Sequence, residues 1–377
     1  MLPPAFLVYI TLFDFTFFMG HCPKPNGHLY QVLDSVKNSF LCNVKDKNMP
    51  GRILYPIHIV MVLLCFNAPL TAQVVVRPEE YAKLITGQEL DRHIRYLSDS
   101  LLQGRETGSA GGSEATRYIV SLFDQYGLDY LGTGNPKRYN ESYIQGFVCP
   151  TGQRGRNVIG WIPADVPSDE YIIISAHYDH LGVINGILYP GADSNASGIA
   201  SLLDLARIFG MLKREGTGIS RNLIFVAYDA KEFSMTGARI FALSLGIPAS
   251  RIVLNINLDQ LGTSLEPPGE QSNYVLILGA EEVPAHIVQS MNNNNSFYNT
   301  GLDLDYSFYN SPAFADIYFS MTEQSILHQM QVPSLLITSG VNDYTYKPED
   351  TPEIINIPVL TKRTRWLFFT LWDLTQR

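Results

Sequence analysis

From residue 78 onward the apolar positions follow two alternating periods. EEYAKLITGQELDRHIRYLSDSLL (79–102) spaces them three and four apart, which predicts one or two amphipathic helices. The glycine-rich GRETGSAGG (104–112) follows, and then SEATRYIVSLFDQYG, a predicted helix capped by Ser113 and stopped at Gly127. NVIGWIP (157–163) predicts an edge strand, and YIIIS (171–175) a strand buried on both faces. Helical spacing returns in NASGIASLLDLARIF, from Asn195 to about Leu212. RNLIFVAYDA (221–230), RIVLNINLDQLG with its end at Asp259, YVLILG (274–279) and VPSLLIT (332–338) are further strands. Helices are predicted after the 231–235 loop, at about 281–291 and at about 354–375, whereas NNNNS (292–296) reads as a solvated loop. Strands that alternate with helices give an α/β layered fold.

No repeat or composition break appears after Gln73, so residues 78–377 are expected to form one domain. The 377 residues are 46% hydrophobic and 17% charged, ordinary for a globular protein. A net charge of −9 with no basic cluster argues against a nucleic-acid partner. Of the four cysteines, Cys22, Cys42 and Cys65 lie upstream and only Cys149 within the expected domain, which leaves neither a disulfide framework nor a CxxC metal site. From Met49 the chain reads MPGRILYPIHIVMVLLCFNAPLTAQ: a positive end at Arg52, an apolar core at 57–66 and a small-residue cut before Gln73. That order of parts is a secretory signal peptide, and the core is too short to span a bilayer comfortably. Residues 49–72 are therefore expected as a signal peptide and residues 1–48 as an upstream, non-native extension. The mature protein is expected to be secreted or periplasmic, with no stable membrane span.

The chemistry gathers at strand ends. His177 and Asp179 follow YIIIS, Asp193 opens the next helix, Lys231 and Glu232 follow the 221–230 strand, and Asp259 closes another. Open α/β sheets place their sites at the carboxyl edge, and a His/Asp/Glu set suits zinc, which accepts nitrogen and oxygen ligands. No GxSxG nucleophile elbow is present.

With HYDHLG, PGADSNASG, FVAYDAKEFSMTGA and NLDQLG in that order, the sequence resembles metallopeptidase family twenty-eight, the zinc aminopeptidases, from about Glu89 to the C-terminus. The resemblance implies a three-layer αβα sandwich with a mixed central sheet, and a site where two zinc ions share a carboxylate and activate a water. It assigns His177 and Asp259 to one ion, Asp193 to the bridge, Glu232 to the second ion and Asp179 to orienting the histidine ring. It also implies a cis peptide after the bridge, at Asp193–Ser194.

Two positions depart from the family pattern. Lys231 stands where the general base belongs, and an ammonium cannot accept a proton from water. Tyr346 stands where the second ion's histidine belongs, before KPEDT (347–351). Three carboxylates, Asp193, Glu232 and Asp259, would be balanced by one zinc plus the Lys231 ammonium. One zinc ion is therefore expected, with the Lys231 ammonium occupying or neutralising the vacated second-ion site and Tyr346 donating a hydrogen bond in place of the lost ligand. The function expected is that of an aminopeptidase-family protein acting on or binding peptide N-termini with impaired hydrolysis; the alternative is a non-catalytic peptide-binding relative. N-terminal sequencing of the exported protein should begin at Gln73; retention of residues 1–48 would refute the expected start and cleavage.

Overall fold

Strand runs such as YIIISAH and NLIFVAY are apolar at consecutive positions because both of their faces are covered. In the computed structural model, Ile172, Ile174 and Ala176 point into one buried cluster while Ile173 points into a second, and Leu223, Phe225 and Ala227 alternate in the same way with Ile224, Val226 and Tyr228. The structure describes residues 77–131, 143–263, 273–308 and 310–376, all within the compact unit Val74–Arg377. The expected extension (1–48) and signal peptide (49–72) lie outside the described residues.

The elements in order are α1 (Pro78–Lys83), α2 (Gly87–Leu97), a 3₁₀ turn (Ser100–Arg105), α3 (Ala110–Tyr126), β1 (Asp129–Tyr130), β2 (Ile144–Val148), β3 (Arg154–Ile162) and β4 (Tyr171–His177). A small hairpin, β5 (Gly182–Ile184) and β6 (Ile187–Tyr189), precedes α4 (Ser197–Glu215), β7 (Asn222–Tyr228), α5 (Thr236–Ser244) and β8 (Ile252–Asp259). After these come β9 (Tyr274–Leu278), α6 (Ala285–Phe297), β10 (Asp303–Asp305), α7 (Pro312–Ser320), α8 (Gln324–His328), β11 (Ser334–Thr338) and α9 (Ile357–Leu374).

The main sheet runs β1-β3-β7-β4-β8-β11-β9-β10, with β2 also paired to β3. Its centre, β7-β4-β8-β11, is parallel; β3 and β9 join it antiparallel. The sheet is therefore mixed, as expected. Helices α2, α3, α4 and α9 supply Leu90, Ile94, Ile119, Leu202 and Trp366 to the cluster on one face. Helices α5 and α8 cover the other with Phe241, Ile326 and Leu327, which completes the αβα layering.

Three local expectations need correction. The strand containing NVIGWIP is interior, with β7 on one side and β1 and β2 on the other. Helix α3 starts three residues earlier than its expected cap, because the Ser109 hydroxyl accepts from Gly112 N at 2.9 Å. Gly111 permits that start: a Cβ there would lie 1.7 Å from the Leu102 carbonyl oxygen. The asparagine run is helical, not a loop. Asn294 is buried in α6 and donates to Ser290 Oγ at 3.2 Å.

Helix α2 buries His93, whose Nδ1 lies 2.7 Å from the Tyr118 hydroxyl. Burial, reinforced by neighbouring Arg92, pushes its pKa down to about 3. The unfolded chain then binds a proton that the native state refuses. This stabilisation is complete above the unfolded value near 6.5 and is lost as pH falls toward the folded value. Between pH 7.5 and pH 5 urea unfolding should lose about 2 kcal/mol from this group alone, and His93→Gln should reduce that loss.

Candidate functional site

The four parallel strands end along one edge, so His177 at the end of β4, the loop after β7 and Asp259 at the end of β8 become neighbours. Arg105 fixes the backbone around them. It is fully buried, and it donates from Nε to Tyr178 O (2.8 Å), from Nη1 to Pro190 O (2.7 Å) and Leu97 O, and from Nη2 to Gly191 O (2.8 Å). Burial lowers its pKa to about 10, which leaves it charged at neutral pH. Gly104 beside it is required by close approach: a Cβ would stand 2.5 Å from the carbonyl oxygens of both Gly182 and Tyr189.

Asp179 and Asp229 shape the loop after β7. Asp179 accepts from Lys231 N at 3.1 Å and Glu232 N at 3.2 Å. Asp229 accepts from Thr107 Oγ1, Arg156 N, Tyr178 Oη and Ala230 N, all within 2.7–2.9 Å. The His177 ring is held mainly by the Asp179 backbone, with Nδ1 3.1 Å from the carbonyl oxygen and 3.7 Å from the carboxylate.

Lys231 lies between the two residues assigned to one ion. Its Nζ is 2.7 Å from Asp259 Oδ2 and 3.1 Å from His177 Nε2. The lysine side chain is 11% exposed and that of Asp259 1%. Burial opposes the ammonium, but Asp259 and Glu323 outweigh it and hold the Lys231 pKa well above the ordinary lysine value. Burial and Lys231 disfavour a proton on His177, but Glu323, Asp179 and Asp259 together raise its pKa to about 10, which the short contact to the ammonium opposes. The 3.1 Å contact decides: two donors cannot share it, so Nδ1–H points to the Asp179 carbonyl and Nε2 accepts from the ammonium. The ammonium thus sits against the pair that the resemblance assigns to the first ion, where the expectation had it occupy or neutralise the second-ion site.

Asp193 does not join this group. Its Oδ1 accepts from Ser197 Oγ (3.0 Å) and Gly262 N (2.7 Å), and its Oδ2 from Thr263 Oγ1 and Asn342 Nδ2 (both 2.9 Å). Its backbone N–H and that of Ser194 donate to the Asp350 carboxylate at 2.7 and 3.0 Å. The cis bond is Ser194–Asn195, one residue beyond the expected place. Glu232 has one carboxylate oxygen buried without a hydrogen-bond partner among the described residues, and burial, with Asp179, raises its pKa to about 7. Contrary to expectation, Tyr346 makes no hydrogen bond through its hydroxyl among the described residues. Its ring stacks on His180 at a centroid distance of 6.0 Å and an angle of 6°.

The sequence profile of Peptidase family M28 matches residues 157–369, more than half of the chain. This protein belongs to peptidase family M28. The family's place in the sequence agrees with the order of motifs above. Aminopeptidase YwaD of Bacillus subtilis is 26% identical over 228 residues, covering 54% of this chain and 48% of that protein. BOS complex subunit ncln of Danio rerio is 34% identical over 197 residues, covering 48% and 32%. The chain thus spans half or less of the length of these curated relatives. The solved structure of BSAP, a zinc aminopeptidase from Bacillus subtilis, aligns over 78% of this chain and 96% of its own with a TM-score of 0.59 and 15% identity, a likeness of fold.

Zinc is the ion that M28 membership and such zinc aminopeptidase neighbours imply, but the residues present do not fit it. His177 Nε2 and Asp259 Oδ2 both face the Lys231 ammonium, and Asp193 has all four acceptor positions filled. Among the described residues no group of three or more His, Cys, Asp or Glu side chains converges to hold an ion.

The sequence reading assigned no role to Asp229, Asp350 or His180. Asp229 was visible as the acid that closes a strand, and Asp350 as the acid of the KPEDT segment; the buried position of His180 had no signal beyond its place in HYDH. Asp350→Ala should strip two buried N–H groups of their acceptor and lower stability by about 3 kcal/mol, measured by urea unfolding at neutral pH.

Proposed function

We propose that this protein is a non-hydrolytic member of peptidase family M28 that binds a peptide N-terminus or peptide-like segment in the former substrate cleft. One observation carries the reading: the Lys231 ammonium is bonded to His177 and Asp259, the pair that the resemblance assigns to an ion. Hydrolysis in such a site needs a metal to polarise the carbonyl and lower the pKa of water, and a carboxylate to take the proton. A cation occupies the first position and comes from the residue that stands at the second. Loss of the base alone typically costs about 10²–10⁴ in rate, and an absent Lewis acid multiplies that loss.

The fold still supports binding, since nothing in the layered sheet depends on turnover. The complex-subunit relative from Danio rerio favours an assembly role within this reading, because it is matched at higher identity than the aminopeptidase, over a somewhat shorter stretch. Export from the cytoplasm, by the expected signal peptide, belongs to the same proposal. Among the described residues no helix is long and apolar enough to cross a membrane.

Aminoacyl-nitroanilide assays with and without added zinc, paired with metal analysis of the purified protein, test this reading. The expected outcome is no turnover above background in either condition and no stoichiometric zinc. One zinc per chain would reinstate the single-ion arrangement drawn from charge counting, and zinc-dependent turnover would overturn the proposal.

A further inference from the structure

The lysine does more than displace a metal. We infer that the Lys231 ammonium is a resident cation seated where an ion would be, and that deleting its side chain leaves a cation-selective hole that a small primary alkylammonium can fill. The inference shares its site with the proposed function, but concerns what holds the site together, not what the cleft binds.

Three observations support it. First, the seat has the dimensions of an ion site. Two ligand atoms each about 2.1 Å from a tetrahedral ion stand about 3.4 Å apart, and His177 Nε2 lies 3.4 Å from Asp259 Oδ1. Second, the backbone is built to deliver the ammonium there. Ala230 takes a positive φ of 61°, the Lys231 N–H is held by Asp179, and the Lys231 carbonyl accepts from Met235 N at 3.0 Å. Third, the surroundings demand a positive charge. Asp259 Oδ1 and Glu323 Oε1 are buried without hydrogen-bond partners among the described residues, and Lys231 Nζ lies 2.7 Å from Asp259 Oδ2. Removing one partner of a buried ion pair is far more costly than replacing both with neutral groups.

The test compares wild type, Lys231→Ala, Lys231→Met and the double variant Lys231→Met/Asp259→Asn by thermal unfolding in metal-free buffer, then with ethylammonium chloride or choline chloride. Each single variant should lose about 5 °C or more in Tm. Ethylammonium should recover at least half of that loss in Lys231→Ala. Choline, too bulky for the hole, should recover none, and wild type should not respond. The double variant should be more stable than Lys231→Met, a comparison that holds even if Lys231→Ala does not fold. A Lys231→Ala protein as stable as wild type, or one unmoved by ethylammonium, overturns the inference; so does a double variant no better than the single, or wild type that itself takes up stoichiometric zinc. Hydrolysis by metal-free wild type would overturn the proposed function and leave this inference standing.

Discussion

A guanidinium with no exposed surface holds together the edge of the sheet where the site lies. Arg105 spends its donors on carbonyls from three separate segments: the end of α2, the turn after β4 and the approach to α4. Those carbonyls belong to irregular backbone, which has no ladder to satisfy it, and a buried carbonyl without a donor is costly. A charged donor supplies several strong hydrogen bonds at once. Arg363 does the same at the neighbouring loop, donating to Tyr274, Leu261 and Thr263 carbonyls at 2.6–2.7 Å. Between them the two arginines set the segments that carry His177, Asp193 and Thr263, so the site is fixed by the scaffold before any ligand arrives.

Electrostatics then selects what occupies the site. Asp259 is buried against His177 and Lys231, Glu323 is buried on Asn257 of the same strand, and a carboxylate in such surroundings requires a nearby positive charge. In a zinc enzyme a bound ion meets that need. Here the chain meets it from its own sequence, through a lysine long enough to reach from the loop after β7 across to the end of β8. The substitution is therefore coherent with its neighbours rather than a defect among them, and it accounts for two buried acids persisting in a place where the residues do not fit an ion.

Much of this arrangement was legible in the sequence. Strands buried on both faces give continuous apolar runs, and β4, β7, β8, β9 and β11 were read from theirs. Which strand lies at an edge is not written in its own residues: NVIGWIP reads as an edge strand, but it is flanked by β1 and β2 on one side and β7 on the other. The asparagine run was misread because helix propensity is a weak prior that packing overrides; Asn294 is buried against Ser290. At the site, the need for one extra positive charge could be counted from residue types. The seat it takes could not, because that depends on a side chain's reach across two strands. Nor could the isolation of Asp193, whose partners Gly262, Thr263 and Asn342 come from distant loops.

The four hydrogen bonds to Asp193 bear on what substitutions at the two departing positions could restore. Swapping a glutamate and a histidine back into positions 231 and 346 restores the two obvious absentees, yet no carboxylate is free to be shared between a pair of ions while Asp193 stays tied to α4 and to the loops at 262–263 and 342. An ancestral-style reversion would also have to break that knot of serine, threonine and asparagine donors.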